Sequence, residues 1–380
     1  MRVLICSHPG LGHFLPSVPL AWAFRAEGHE VLVSIADCAE RAAESGLDIV
    51  DVAPDFDMNA VNEQVTRDHP DLMAAMATTP VVEFEFWAAG LAAVNRPLVP
   101  GNLALADDWR PDVVLYDQVN TVGLLVADRC RVPAVQYNMG NVRTGRTHEA
   151  IAEHLADLCA RFGVTVSAPA LALEMNPPSL LYRPPEGPSM RWVPCNGGTV
   201  IPGRLPAPRN GRPQVAISMG TTTLEMFGLG SLASVVDAAA GVDADFALAV
   251  GNVDLAPLGT LPSNVRYVGW TPLATLLRTC TALIHHGGGG SMLNAVAADV
   301  PQLIAHDPAD LIHHTDFAAI RERGIGLVAP SDQVDAATIK SVLHDEGLRR
   351  ATHEVHVENR SLPSPAATAR SIVELAERGL

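Results

Sequence analysis

Several common signatures are missing from this 380-residue chain, and each absence narrows its function. Basic residues are few: 26 against 42 acidic ones, a formal net charge of −16. That balance argues against nucleic acid or an anionic membrane surface as partner. No apolar run approaches the ~20 residues a membrane-spanning helix needs. The chain opens directly on a strand pattern, Arg2-Val3-Leu4-Ile5-Cys6, with no signal-peptide pattern before it. Six cysteines (Cys6, Cys38, Cys130, Cys159, Cys195, Cys280) lie scattered without CxxC spacing. The expectation is reduced, buried thiols in a cytoplasmic protein, not a disulfide framework or a zinc site. Fourteen histidines invite a metal reading, above all His285-His286 with His313-His314, but HExxH is absent. Adjacent histidines on a strand point to opposite faces, so each pair offers at most one ligand to a common site. No metal is expected.

What is present is a βαβ rhythm, run twice. Strand patterns at Arg2–Ser7, Glu30–Ala36, Asp48–Val52, Asp112–Tyr116 and Pro133–Gln136 alternate with helical patterns at Leu15–Ala26, Ala39–Ser45 and Thr121–Arg129. Such alternation predicts a parallel sheet with helices on both faces. Between them, Asp55–Trp109 reads as a polar, irregular insertion with helical stretches near Asp71–Ala77 and Val81–Ala93, of the kind that shapes a pocket mouth. A segment dense in proline and glycine, Asn176–Pro213, marks the interdomain connection, placed near Gly197–Arg212. The rhythm then restarts with strands Gln214–Met219, Phe246–Val250, Val265–Val268, Ala282–His285 and Gln302–Ala305. Helices Gly230–Ala239, Leu273–Arg278 and Ser291–Ala298 lie among them. The expected fold is α/β: two doubly wound, Rossmann-like domains facing a cleft. The expected boundaries are an N-terminal domain 1–200, a C-terminal domain 201–364, and a tail 365–380 whose helix packs back on the first domain.

The most informative stretch is His286-Gly287-Gly288-Gly289-Gly290-Ser291, which stands after an apolar strand and before a helix. Glycines let a ligand approach the backbone, the first amides of a helix lack partners, and the helix dipole favours an anion there. The turn fits neither GxGxxG nor GxxxxGK[ST], so the dinucleotide and P-loop readings lack their residues. Two further elements point the same way. Trp270, at the end of a strand pattern in Val268-Gly269-Trp270-Thr271-Pro272-Leu273, suits stacking on a base. Thr221, Thr222 and Thr223, after the first strand of the second half, suit a diphosphate. Taken singly, these are equally a bare turn, a core tryptophan and capping hydroxyls.

A histidine at the carboxyl end of a strand suits general-base work near neutral pH, and His13 follows the first strand. A carboxylate commonly orients such a base, and Asp117 ends the strand 112–116 on the same sheet edge. Asp117 alone reads as a helix cap; the joint placement makes the pair.

The run Val268–Asp310 resembles the nucleotide-sugar-binding half of GT-B glycosyltransferases, through Trp270-Thr271-Pro272, His285-His286-Gly287-Gly288-Gly289-Gly290-Ser291 and Val300-Pro301-Gln302-Leu303, ending at Asp310. It is similar to the inverting family that decorates bacterial antibiotics and includes the plant secondary-metabolite enzymes. Asn176-Pro177-Pro178-Ser179-Leu180, Met190-Arg191-Trp192-Val193-Pro194-Cys195-Asn196-Gly197 and Gly12-His13-Phe14-Leu15-Pro16 narrow the resemblance to the antibiotic group. It spans nearly the whole chain. The resemblance implies that Trp270 stacks on the nucleobase and Thr271 meets it through its backbone. It implies that His286, Gly288, Gly289, Gly290 and Ser291 hold the diphosphate with Thr221 and Thr222, and that Asp310 meets sugar hydroxyls. His13 and Asp117 match the family's base and its orienting carboxylate.

Three departures stand out. Asn294 replaces a glutamate that grips the ribose hydroxyls in many relatives, which fits deoxyribose. Leu311 replaces a glutamine after the aspartate, which fits a sugar with fewer hydroxyls. His306 stands where proline is usual. The expected enzyme is an inverting glycosyltransferase moving a deoxysugar from a dTDP-sugar, favoured over a UDP-sugar, to a hydroxyl of a hydrophobic aglycone. The nucleotide sugar is a co-substrate and no cofactor is permanently bound. Met58, Met73, Met76, Phe84, Phe86, Trp87 and Met139 are candidate acceptor-lining residues, equally readable as helix core. A homodimer is left open. The alternatives are a sugar-nucleotide epimerase of the same fold, a non-catalytic nucleotide-binding auxiliary protein and, more distantly, a nicotinamide dehydrogenase.

Overall fold

Short, almost wholly apolar segments separated by amphipathic ones resolve into two six-stranded parallel sheets. The structure, a computed structural model, describes residues 1–76, 78–200, 211–220, 228–251 and 253–378. Two units emerge. The first comprises Met1–Asn176, Arg183–Val193 and Leu362–Leu380; the second comprises Pro177–Tyr182 and Pro194–Ser361.

In the first unit the strands are β1 (Arg2–Cys6), β2 (Glu30–Ile35), β3 (Asp48–Asp51), β4 (Val113–Asp117), β5 (Ala134–Asn138) and β6 (Leu171–Glu174). Their order is β3-β2-β1-β4-β5-β6, and every pairing is parallel. Every residue of β4 and β5 is buried, as strands covered on both faces must be. Helices Val18–Ala26, Leu98–Trp109 and Val122–Cys130 cover the sheet, and Leu98, Val99, Leu103 and Ala106 bury their side chains in its core. The insertion is therefore more regular than its composition suggested. It folds into helices Met58–Asp68, Pro70–Met76, Ala88–Asn95 and Leu98–Trp109, and the last belongs to the sheet's own cover. The helix Pro365–Glu377 starts at a Ser364 cap, with proline at its first position, and packs on Val18–Ala26. Arg370 pairs with Glu27 across that contact at 2.8 Å.

The second unit repeats the topology with β7 (Gln214–Ser218), β8 (Asp245–Leu248), β9 (Val265–Tyr267), β10 (Ala282–His285), β11 (Gln302–His306) and β12 (Gly326–Pro330), in the order β12-β11-β10-β7-β8-β9. Two details differ from the sequence reading. The helix expected from Ser291 begins two residues earlier, as Gly289–Ala298, so two glycines form its first turn. Strands β6 and β12 and the helices His314–Arg323, Ala336–His344 and Glu346–Ser361 were not anticipated. In both sheets the chain reverses winding direction beside the first strand, at β1/β4 and at β7/β10. The carboxyl ends of such a pair are where open α/β sheets bind ligands.

Candidate active site

At the switch point of the first sheet, β1 leads through Gly10 into the short helix Leu11–Phe14, which carries His13. Asp117 is the last residue of the neighbouring β4. His13 Nδ1 lies 3.6 Å from Asp117 Oδ1. The carboxylate is completely buried while the imidazole is 36 % exposed, so the ring alone can meet a substrate. Two backbone amides fix Asp117: His8 N–H donates to Oδ2 at 2.6 Å and Val119 N–H to Oδ1 at 3.1 Å. Burial pushes this carboxyl up, but His13, His8 and the His8 amide outweigh it and hold the group below its ordinary value. An ionised Asp117 beside Nδ1 favours the tautomer with the proton on Nδ1, which leaves the Nε2 lone pair free.

Sequence reasoning missed His8. Its ring lies 4.7 Å from that of His13, and burial, then the neighbouring His13, push it down to about 3. It is a neutral wall beside His13. Only its place five residues before His13, at the end of β1, could have signalled it.

At the second sheet's switch point, β10 ends in His285 and His286 follows it. The two differ sharply. His285 Nδ1 accepts from Gly287 N–H at 3.2 Å, so Nε2 carries the proton and donates to Gln302 Oε1 at 2.9 Å. His285 is thus a buried structural residue. His286 lies against both Gly220, after β7, and Gly288: a Cβ on either would come within 2.6 Å of the ring. Desolvation, then His313 and His285, push His286 down to about 3, only partly offset by Asp310 and the Ser218 carbonyl. It is therefore neutral, a polar group with no charge to offer.

Gly288 caps the helix Gly289–Ala298, and its carbonyl accepts from the amides of Ser291 (3.0 Å) and Met292 (3.1 Å). The amides of Gly289 and Gly290 precede these bonds and have no intrahelical acceptor. A Cβ on Gly290 would meet nothing within 4 Å, so the space beyond this turn is open. Gly287 is held at φ +119°, and a Cβ there would lie 2.3 Å from Phe317. Gly287→Ala is accordingly expected to cost about 3 kcal/mol or more, read as a lowered denaturant midpoint. An unchanged midpoint would show that the turn does not need its glycine.

Trp270 follows β9 through Gly269, whose φ is +65°, and its ring lies beside Gly251. Thr271 donates its hydroxyl to the Val268 carbonyl at 3.1 Å. Thr221 and Thr222 lie outside the described residues. Asn294 is almost fully buried and donates to the Gly290 carbonyl at 2.6 Å, which tightens the helix's first turn. Asp310 is also buried; its Oδ1 accepts from the amides of Ile312 and His313 (3.1 and 3.3 Å), and its Oδ2 from His313 Nδ1 at 2.8 Å. The His306 ring lies tilted at 32° against that of Phe317, ring centres 4.7 Å apart.

Among the candidate acceptor residues, Phe84 and Trp87 pack against the first unit's core. Phe86 instead lines a cavity of about 370 Å³ in the insertion, with Leu72, Ala88, Ala89 and His154. Met139 is tied by its backbone to Gln118, just after β4, through bonds of 3.0 and 3.1 Å.

Two doubly wound domains of this strand order, with a histidine–carboxylate pair in one and a glycine-turn helix start in the other, define a GT-B glycosyltransferase. Residues 22–220 match the family described as Erythromycin biosynthesis protein CIII-like, N-terminal domain, and residues 233–375 match its C-terminal domain; the chain belongs to this glycosyltransferase family. It is similar to the elloramycin glycosyltransferase of Streptomyces olivaceus, 39 % identical over 97 % of this chain and 96 % of the relative. The crystal structure of the glycosyltransferase SnogD from Streptomyces nogalater superposes with a TM-score of 0.85, at 36 % identity and 99 % coverage of both chains. The glycosyltransferase VinC, solved in complex with dTDP, superposes with a TM-score of 0.81, at 28 % identity over the whole of both chains.

Proposed function

We propose that this enzyme transfers a deoxysugar from a dTDP-sugar to a hydroxyl of a hydrophobic natural-product aglycone, with inversion at the anomeric carbon. The observation that carries the proposal is the exposed His13 backed by the buried, ionised Asp117. A hydroxyl is a poor nucleophile until its proton leaves. His13 Nε2 takes that proton, and the oxygen forms a bond to the anomeric carbon as the bond from that carbon to the diphosphate breaks. Asp117 stabilises the imidazolium that results. A protein that only binds nucleotide has no use for such a pair.

The donor belongs to the second unit. Trp270 stacks on thymine and the Thr271 backbone meets its edge. The amides of Gly289 and Gly290, with His286, Ser291, Thr221 and Thr222, hold the diphosphate, where the helix dipole also stabilises the leaving charge. Asp310 offers a sugar hydroxyl the lone pair that its other bonds leave. The dTDP-bound relative and the Asn294 substitution both support thymidine over uridine.

The test is incubation with dTDP-deoxysugars and a panel of polyketide and macrolide aglycones, reading the anomeric configuration of the product by NMR. An inverted glycoside is expected. Retention of configuration, or product formed only from UDP-sugars, would overturn the corresponding part of the proposal.

A further inference from the structure

We infer that His313, held by the Asp310 carboxylate, is the cationic group that meets the diphosphate of the nucleotide donor; the inference rests on the donor reading above. A diphosphate carries at least two negative charges, and the half-charge of a helix N-terminus offsets only part of them. The segments that build the half-site supply little else. Residues 282–298 and 302–316 contain no lysine or arginine, and the chain's single lysine, Lys340, lies in the helix Ala336–His344. His286 and His285 are neutral.

His313 is placed differently. It precedes the helix His314–Arg323, and its ring stands perpendicular to that of His286, centre to centre 6.2 Å. His286 in turn touches Gly288, the cap of the glycine-turn helix. The Nδ1–H of His313 donates to Asp310 Oδ2 at 2.8 Å, which leaves its Nε2, at the far end of a side chain 30 % exposed, for a ligand. Phe317, itself buried, flanks the ring at 6.3 Å and restricts its swing. Burial works against the charged ring, but the Asp310 bond and charge, with Asp316 beyond, win and raise its proton affinity above the ordinary value. A carboxylate thus stands beside one imidazole in each unit, Asp117 at 3.6 Å from His13 in the first and Asp310 at 2.8 Å from His313 in the second. When the bond to the sugar breaks, the new charge on the terminal phosphate falls within reach of a group already positive.

The test is calorimetric titration of the full-length chain with dTDP and, separately, thymidine, for wild type, His313→Gln and His313→Arg. Glutamine can still reach Asp310 but carries no charge. Its affinity for dTDP is expected to fall about ten- to a hundredfold, the loss typical of a charge-assisted bond, with thymidine binding unchanged. Arginine, which keeps the charge, retains most of the dTDP affinity and guards against a folding defect in the first variant. Equal losses for dTDP and thymidine would mean that His313 only supports the loop, and would overturn the inference. So would dTDP affinity unchanged in His313→Gln. A wild type that binds neither nucleotide overturns the donor reading itself, an outcome distinct from either of these.

Discussion

His13→Ala is expected to lower kcat for glycosyl transfer by about 10²- to 10⁴-fold, the usual contribution of a positioned general base, while nucleotide affinity stays at the wild-type value. The split follows from where the residue sits. His13 belongs to the first unit's sheet edge, and every donor-binding candidate belongs to the second unit. The substitution is also structurally mild, because the ring is partly exposed and Nδ1 is its one charged contact, at 3.6 Å. Asp117→Asn is the less clean companion. Both carboxylate oxygens accept backbone N–H groups, from His8 and Val119, so an amide there sets an NH₂ against one of them. Part of that variant's loss will therefore be stability, at roughly 1–3 kcal/mol for a buried donor left unpaired. Steady-state kinetics with a fixed donor and calorimetry on the same samples separate the two effects. A His13→Ala enzyme with undiminished kcat would remove this residue from the chemistry.

Acid is expected to unfold the protein well above the range where carboxylates titrate. His8, His148, His285 and His286 are all neutral; desolvation first, and in His8, His285 and His286 also a neighbouring histidine, depress them to about 3, 4, 4 and 3. In the unfolded chain each binds its proton near pH 6.5. Because the folded values lie lower, the unfolded state takes up more protons as pH falls through ~6.5, and stability drops from there toward ~4. One such histidine gives a slope of about 1.4 kcal/mol per pH unit, and the four together about 5.5, a large share of a typical domain's stability. His313 has the opposite sign. Its raised value makes its contribution complete below ~6.5 and lost as pH rises through the folded value, so it does not counter the acid effect. Thermal denaturation between pH 7.5 and 5 reads the slope. A midpoint flat to pH 5 would show that these histidines gain protons without unfolding the chain. His148→Gln, which keeps an amide for Gln136 and Thr121, should flatten the slope by about a quarter, since it removes one of the four groups.

Much of the fold was legible because parallel strands covered on both faces read as unbroken apolar runs, as in β1, β4, β7 and β10. Strand β6, Leu171-Ala172-Leu173-Glu174, was not, because it is short and ends in a buried glutamate whose charge is met by Arg143 at 2.7 Å. That partner is distant in sequence, so nothing local shows that the glutamate can be buried at a strand end. The start of the glycine-turn helix was misread by two residues because Gly289 and Gly290 lack any helical propensity; tertiary context supplies their conformation. In the candidate site, the placement of His13, Asp117 and His286 at or just after strand ends was legible, and contacts defined by three-dimensional packing were not. His286's neutrality depends on burial against Gly220 and Gly288, which no spacing reveals. The Asp310–His313 bond did leave a trace, an i, i+3 pair before a helix start, but the sequence reading took His313 only as a discarded metal ligand.

The measurement that bears most directly on the account is calorimetric titration of the wild-type chain with dTDP, UDP and NAD, repeated with His286→Ala. The account predicts that dTDP binds more tightly than UDP, that NAD does not bind, and that His286→Ala weakens dTDP by about tenfold through loss of a hydrogen bond at the diphosphate. Tighter binding of UDP would contradict the thymidine assignment. Absence of binding by both dTDP and UDP would contradict the donor site on which the proposed transfer depends.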